Sequence, residues 1–364
     1  MKIAAVTICL LTAMLLAGCW DVKDAQYHIF VNELGIDYQN GAYIVNVQIN
    51  EPSAMAKQKG GSPPPNPIVV GKATAPSLAM AMDEIEKISQ VKLVWSQNKA
   101  VILTDNALSQ GFRTLKDDYL HSRETRYTAW VYITDEPLEK MLNTKPITGS
   151  SSMATLTYQP KLTYDMQTLL APKRLQHVFR SLGENWETVV IPKIGISERW
   201  TKGGEKEKVT VLKGGVAITQ GKDPKSFTES QIKGMRWLDP HAKNANLVLE
   251  DSKENTTILS LREPKIERKY HREGDFIVAD YTIKIKGFIR VQKENLTIAE
   301  IASKAETAIQ NEIRETFDAA NKQGVDIYNI KLGCYRQNIK PSDSIKLGNI
   351  DVKVSIESTG MRQK

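Results

Sequence analysis

The sequence predicts an α+β protein: mainly antiparallel sheets with packed helices, and a long helix laid over a sheet in the C-terminal part. Three observations carry that expectation. Gln39-Asn40-Gly41 separates two runs rich in β-branched and aromatic residues, 29–37 and 42–49, and Asn-Gly accepts the positive φ of a tight hairpin turn. Ala279, Tyr281, Ile283 and Ile285 alternate with Asp280, Thr282, Lys284 and Lys286, the period of two of a half-buried strand. Thr297 and Glu300 stand at capping-box spacing before an apolar stripe that includes Ile298, Ile301, Ala305, Ile309, Ile313 and Phe317. With Gly324 as the stop, this predicts a helix over 298–323, roughly 39 Å long.

Residues 56–67 contain Gly60-Gly61-Ser62-Pro63-Pro64-Pro65; three prolines remove backbone donors and favour an extended, exposed connector. A short strand is expected at 68–71. Ser77 then opens a helix to about Gln90, with Leu78, Ala81, Met82, Ile85 and Ile88 on its core face. Residues 100–103 read as a buried strand, with Thr104-Asp105 as a cap at its end. A helix around 113–121 leads to a strand at 127–133. Gly149-Ser150-Ser151-Ser152 marks a loop, and 167–182 reads as a helix after a proline break. Residues 200–206, with Gly203-Gly204 at their centre, are the best linker candidate. Beyond them, 208–219 suggest two short strands about Gly214-Gly215, and 230–237 a helix. Ile350, Val352, Val354 and Ile356 alternate as a final strand.

The front of the chain bears on its location. Lys2 opens an apolar run over 3–15, too short to cross a bilayer. Leu16-Ala17-Gly18-Cys19 comes next, and then the polar Trp20-Asp21-Val22-Lys23-Asp24. This resembles the bacterial lipobox, in which the cysteine thiol receives a diacylglyceryl group and a peptidase cuts between Gly18 and Cys19. Two acyl chains hold a protein stably on a membrane where one does so marginally. The expected organisation is a signal peptide at 1–18, an N-terminal α+β domain at 19–200, a small middle domain at 205–255 and a C-terminal α+β domain at 256–364.

Composition is ordinary for a folded chain, 41% hydrophobic and 25% charged, with a net charge of +7. Export and the lack of a basic, aromatic-rich repeat argue against a nucleic-acid partner. Three cysteines are present. Cys9 leaves with the signal and Cys19 carries lipid, so Cys334 is expected as a lone buried thiol. No two of the five histidines stand at the i, i+4 spacing of a helical zinc site. A Gly-x-Ser-x-Gly elbow, a P-loop and a dinucleotide fingerprint are all missing. Glu312 and Glu315, alongside Lys304 and Arg314, read as a solvated helix face. No enzymatic activity, cofactor or metal is expected.

Several short segments, taken in order, resemble one known family. They are Gly18-Cys19-Trp20-Asp21; Leu34-Gly35-Ile36-Asp37 with Tyr43 and Val45; and Leu93-Val94-Trp95-Ser96-Gln97-Asn98-Lys99. Ala107, Gly111, Arg123, Glu124 and Arg126 come after these, then Gly214-Gly215-Val216-Ala217-Ile218, then the C-terminal strand, long helix and Asp326 region. Together they resemble the Ger(x)C lipoproteins, the C subunits of spore nutrient-germinant receptors. Where Ser-His is common in that family, this chain has Ser96-Gln97. The resemblance implies three mixed α/β domains held on the outer face of the spore inner membrane. It also implies assembly with a multi-spanning A subunit and a permease-like B subunit, and a role in germination signalling. It carries over no functional residue beyond Cys19. The alternative that the lipobox and chain length leave open is a lipid-anchored solute-binding protein of an importer. Such a protein is expected to show two similar lobes of repeated strand–helix–strand units.

Overall fold

The computed structural model describes residues 28–50, 68–121, 126–147, 155–250, 256–292 and 296–357. Leu16, Ala17, Gly18 and Cys19, the triple-proline connector, Arg123, Glu124 and the serine-rich loop at 149–152 lie outside the described residues. The protein is a mixed α/β molecule built on two sheets.

The first sheet begins with the expected hairpin, β1 (His28–Gln39) and β2 (Ala42–Asn50). Asn40 and Gly41 both take positive φ, 52° and 80°, as a tight turn between twisted strands requires. β3 (Ile68–Ala75) pairs antiparallel on the far side of β2 and runs four residues longer than its apolar run suggests. Ser77 caps α1 (Leu78–Ser89), its hydroxyl accepting from Met80 N at 3.2 Å. Leu78, Ala81, Met82 and Ile85 are buried as expected, but Ile88, in the last turn of α1, is 63% exposed.

The chain then crosses to the other side of β1. Strands β4 (Lys92–Val94) and β5 (Ala100–Thr104) both pair with β1 in parallel. α2 (Phe112–His121) leads to β6 (Trp130–Thr134), parallel to β5. α3 (Leu138–Leu142) comes soon after β6. β8 (Thr188–Lys202) is parallel to β6, so β1, β5, β6 and β8 form a parallel centre within a sheet whose flanks are antiparallel.

Three local expectations fail here for identifiable reasons. Of the helix expected over 167–182 only α5 (Leu175–Ser181) forms, and a separate short helix, α4 (Pro160–Met166), precedes it. Between them Pro172 cannot donate and biases its predecessor away from helix, while β7 (Lys173–Arg174) pairs with β6. The linker expected at 200–206 is the tip of a long hairpin: β8 continues to Lys202 and β9 (Glu205–Thr219) returns alongside it. That strand is continuous rather than two short ones: Gly214 and Gly215 both pair with β8, and the register shifts by a bulge at the adjacent Lys213 and not by a turn. A Cβ at Gly214 would fall 2.0 Å from the Phe227 carbonyl oxygen of β10 (Lys225–Thr228), so only glycine lets the two backbones approach.

The second sheet has the order β11 (Ala245–Glu250), β12 (Thr256–Glu273), β13 (Phe276–Gln292), β14 (Ile345–Ile356). β13 and β14 are parallel, and a parallel pair needs a long crossover, which α6 (Ile298–Asn321) and α7 (Ile330–Arg336) supply. The capping box of α6 forms as predicted, with Glu300 N donating to Thr297 Oγ1 and Thr297 N to Glu300 Oε2. Ile301, Ala305, Ile309 and Ile313 are fully buried under α6; burying each isoleucine contributes about 1.5–3 kcal/mol. Ile298, in the first turn, is 55% exposed instead.

A 3-10 segment, Ser230–Leu238, lies on the other flank of α6. Here Glu312 departs from the solvated face expected of it. Both its carboxylate oxygens accept from Arg236 Nη2, at 3.0 and 2.9 Å, and Trp237 Nε1 donates to Oε2 at 2.7 Å. The packing is close enough that a Cβ at Gly234 would meet the Glu312 carbonyl oxygen at 2.3 Å. The two sheets are joined by a small shared core that includes Val190, Phe227, Ile232 and Ile327. Asn329 reinforces it, its side chain accepting from Thr188 N at 2.6 Å and donating to Thr188 O at 3.0 Å.

Candidate functional site

Two parallel strands end alike: β5 in Ile102-Leu103-Thr104-Asp105 and β6 in Tyr132-Ile133-Thr134-Asp135. In each, the apolar residues fill the sheet and the threonine turns the chain. Thr104 Oγ1 donates to Asp37 Oδ1 and accepts from Ala107 N at 3.1 Å. Thr134 Oγ1 donates to Ile194 O at 3.0 Å and accepts from Glu136 N at 3.1 Å. The aspartates are thereby delivered to the rim. Lys193 of β8 lies between them, its Nζ 3.0 Å from Asp105 and 3.5 Å from Asp135.

These ends surround a cleft of about 520 Å³, lined also by Asp37, Asn46, Lys72, Glu136 and Glu139. Its place is set by topology. From β1 the chain builds outward through β2 and β3, then returns to build the other way through β5, β6 and β8. The carboxyl ends of parallel strands beside such a reversal are left open, and crevices for ligands form there. Five carboxylates against Lys72 and Lys193 make the opening electronegative on a chain of net charge +7. Asp37 is held within the fold, accepting also from Tyr38 N at 2.8 Å and Gln39 Nε2 at 2.6 Å. No group of three or more His, Cys, Asp or Glu among the described residues is arranged to hold a metal ion.

A second polar group lies beneath the sheet. Glu33 of β1 is 3% exposed and accepts from Thr157 Oγ1. Tyr158 donates to Gln48 Oε1 at 3.0 Å, Gln48 Nε2 to Leu142 O at 2.6 Å, and Tyr132 to Leu156 O at 3.0 Å. Side chains of β1, β2 and β6 thus pin the segment 155–158. Burial pushes the Glu33 carboxyl up to about 7, against a smaller opposing effect of the Thr157 hydroxyl.

Of the residues singled out in the sequence, Cys19 and the rest of the lipobox fall outside the described residues. Cys334 is fully buried, and burial pushes its thiol up to about 11, which disfavours a reactive thiolate. Among the histidines, His271 sits 3.1 Å from Glu273 and 3.3 Å from Asp280. The cleft was missed by motif reading, although the repeated apolar-Thr-Asp ending was a usable signal. Glu33 carried none, since a lone acid in a strand pattern reads as solvent-facing.

Comparison with known proteins places this architecture. The family model described as "Spore germination protein N-terminal domain" matches residues 21–196, and that described as "Spore germination B3/ GerAC like, C-terminal" matches residues 214–360. No curated protein matches the chain in sequence. A solved structure, described as the crystal structure of the GerBC protein, is similar in fold. Its TM-score is 0.53 at 11% identity, with 89% of this chain and 97% of that one covered. With two family models spanning most of its length in the expected order, the chain belongs to the Ger(x)C family of spore germination proteins, the C-subunit class of germinant receptors.

Proposed function

We propose that this protein is the lipid-anchored subunit of a nutrient-germinant receptor, held by a diacylglyceryl group on Cys19 at the outer face of the spore inner membrane. There it would assemble with a multi-spanning A subunit and a permease-like B subunit and take part in signalling rather than catalysis. The observation that carries this reading is one of sequence order. The family match begins at residue 21, two positions after the lipobox cysteine. No described helix is long and apolar enough to cross a membrane; the attachment this reading calls on is the lipid at Cys19. In this reading Leu16, Ala17 and Gly18 are the recognition and cleavage positions.

The test is extraction of tagged protein from spores with detergent. Mass spectrometry of the N-terminal peptide should find Cys19 acylated, and the two receptor partners should co-purify. A bare Cys19 thiol would refute the anchor. Co-purification with importer subunits and a transport defect would favour the solute-binding alternative.

A further inference from the structure

The end of the parallel strands opposite the cleft has the reverse electrostatic character. Lys99 precedes β5, and its carbonyl accepts from Trp130 N at 2.9 Å, which brings the starts of β5 and β6 together. Arg126 Nε donates to Thr128 Oγ1 at 2.8 Å, and the Arg174 guanidinium donates to the carbonyl of the same Thr128. Arg174 also stacks over the Trp130 ring, 4.1 Å from its centroid. Two guanidinium groups on one residue, with a lysine beside them, repel one another. Burial and the charge on Arg126 both push the Lys99 ammonium down. None of the three is paired with a carboxylate among the described residues. Nearby, Glu187 is buried against Ser181 Oγ and Arg180 and offers no relief. Exposed Lys92 continues the basic surface on β4, and Phe30 and Ile88 stand exposed at the same end.

Chain geometry says what this end faces. β1 enters the fold here, at His28, nine residues after Cys19. A fully extended chain covers at most about 3.5 Å per residue, so the anchor holds this end within roughly 30 Å of the bilayer. The β8–β9 hairpin tip and the cleft lie at the other end.

We propose that the strand-start end of the parallel sheet, centred on Lys99, Arg126 and Arg174, docks on the anionic phospholipid surface, so that the acidic cleft opens away from the membrane. The surface combines unpaired cations, which attract lipid phosphates, with an indole and exposed apolar side chains suited to the interface. Anionic lipid also repels the opposite, acidic end, so both poles favour one orientation. The orientation rests on the Cys19 anchor proposed above, whereas the lipid affinity of the basic end does not.

The test uses the chain from residue 20 onward, which keeps every described element and has no acyl group. Sedimentation with vesicles of equimolar phosphatidylglycerol and phosphatidylcholine should show binding that pure phosphatidylcholine does not. Binding should fade as salt rises from ~0.1 M to ~1 M and the screening length falls from about 10 Å to about 3 Å. Arg126→Gln and the exposed Lys92→Gln should each weaken binding about fivefold, whereas Lys72→Gln in the cleft should not. Circular dichroism identifies any variant that fails to fold, and the salt series on the unaltered chain needs no variant. Equal binding to neutral vesicles, or equal weakening by Lys72→Gln, overturns the proposal. Displacement by inorganic phosphate at matched ionic strength also overturns it, assigning the cations to a soluble anion instead. Since no acyl group is involved, failure here leaves the Cys19 reading intact, and a bare Cys19 in spores leaves this result intact.

Discussion

Replacing Glu33 by glutamine should stabilise the protein at alkaline pH and leave it nearly unchanged in acid. The Glu33 carboxyl, buried and pushed from 4.5 up to about 7, binds its proton more tightly folded than unfolded. The stability associated with that proton is fully present below about 4.5, declines as pH rises, and is lost above about 7. At about 1.4 kcal/mol per pH unit, the native state is penalised by roughly 3 kcal/mol at pH 8. A glutamine at this position would keep the carbonyl oxygen that accepts from Thr157 and fill the same space, but it cannot ionise. Urea unfolding of both forms over a pH series gives the difference directly, and other titrating groups cancel. The difference should grow from near zero at about pH 4 to roughly 3 kcal/mol at about pH 8. A difference that is flat with pH would refute the reasoning, because it would mean that Glu33 titrates alike in both states.

The packing sets three further outcomes. Glu312→Ala leaves Arg236 without its carboxylate and Trp237 Nε1 without its acceptor; urea unfolding should show a loss of about 3 kcal/mol, and a loss under a third of that would place the pair in solvent. Gly234→Val forces the 3-10 segment off α6, given the 2.3 Å approach to the Glu312 carbonyl, and should lower Tm and speed proteolysis near 230–238; an unchanged melt would contradict that approach. Asn329→Ala removes two hydrogen bonds to the Thr188 backbone and should cost about 2 kcal/mol. Asn329→Gly, which accepts the native φ of 55°, separates the lost bonds from backbone strain, and full stability in it would show that the bonds contribute nothing.

Membership of the Ger(x)C family relates the two ends of the molecule to a task. If the Cys19 anchor and the basic docking end proposed above both hold, the subunit is tethered at one pole and open at the other, an arrangement suited to relaying contacts between a membrane complex and its surroundings. The cleft, at the reversal of strand order, is the natural place to examine for what the outward pole meets.

What the sequence alone determined is local in origin. The Asn40-Gly41 turn, the Ser77 cap, the Thr297–Glu300 capping box and the α6 stripe each depend on residues within a few positions of one another, so their physics is legible without the fold. The segments that place the chain in its family are legible for the same reason. Tertiary structure decided the rest, because pairing between distant strands leaves no local period. It made the 200–206 stretch a hairpin tip and broke the 167–182 helix by offering its backbone partners in β6. It drew Glu312 out of solvent by setting Arg236 against it. It also gathered Lys99, Arg126 and Arg174, far apart in sequence, at one end of a parallel sheet and the carboxylates at the other. Burial and charge separation of that kind belong to the assembled layers, where removal from water and the spacing of fixed charges are first defined.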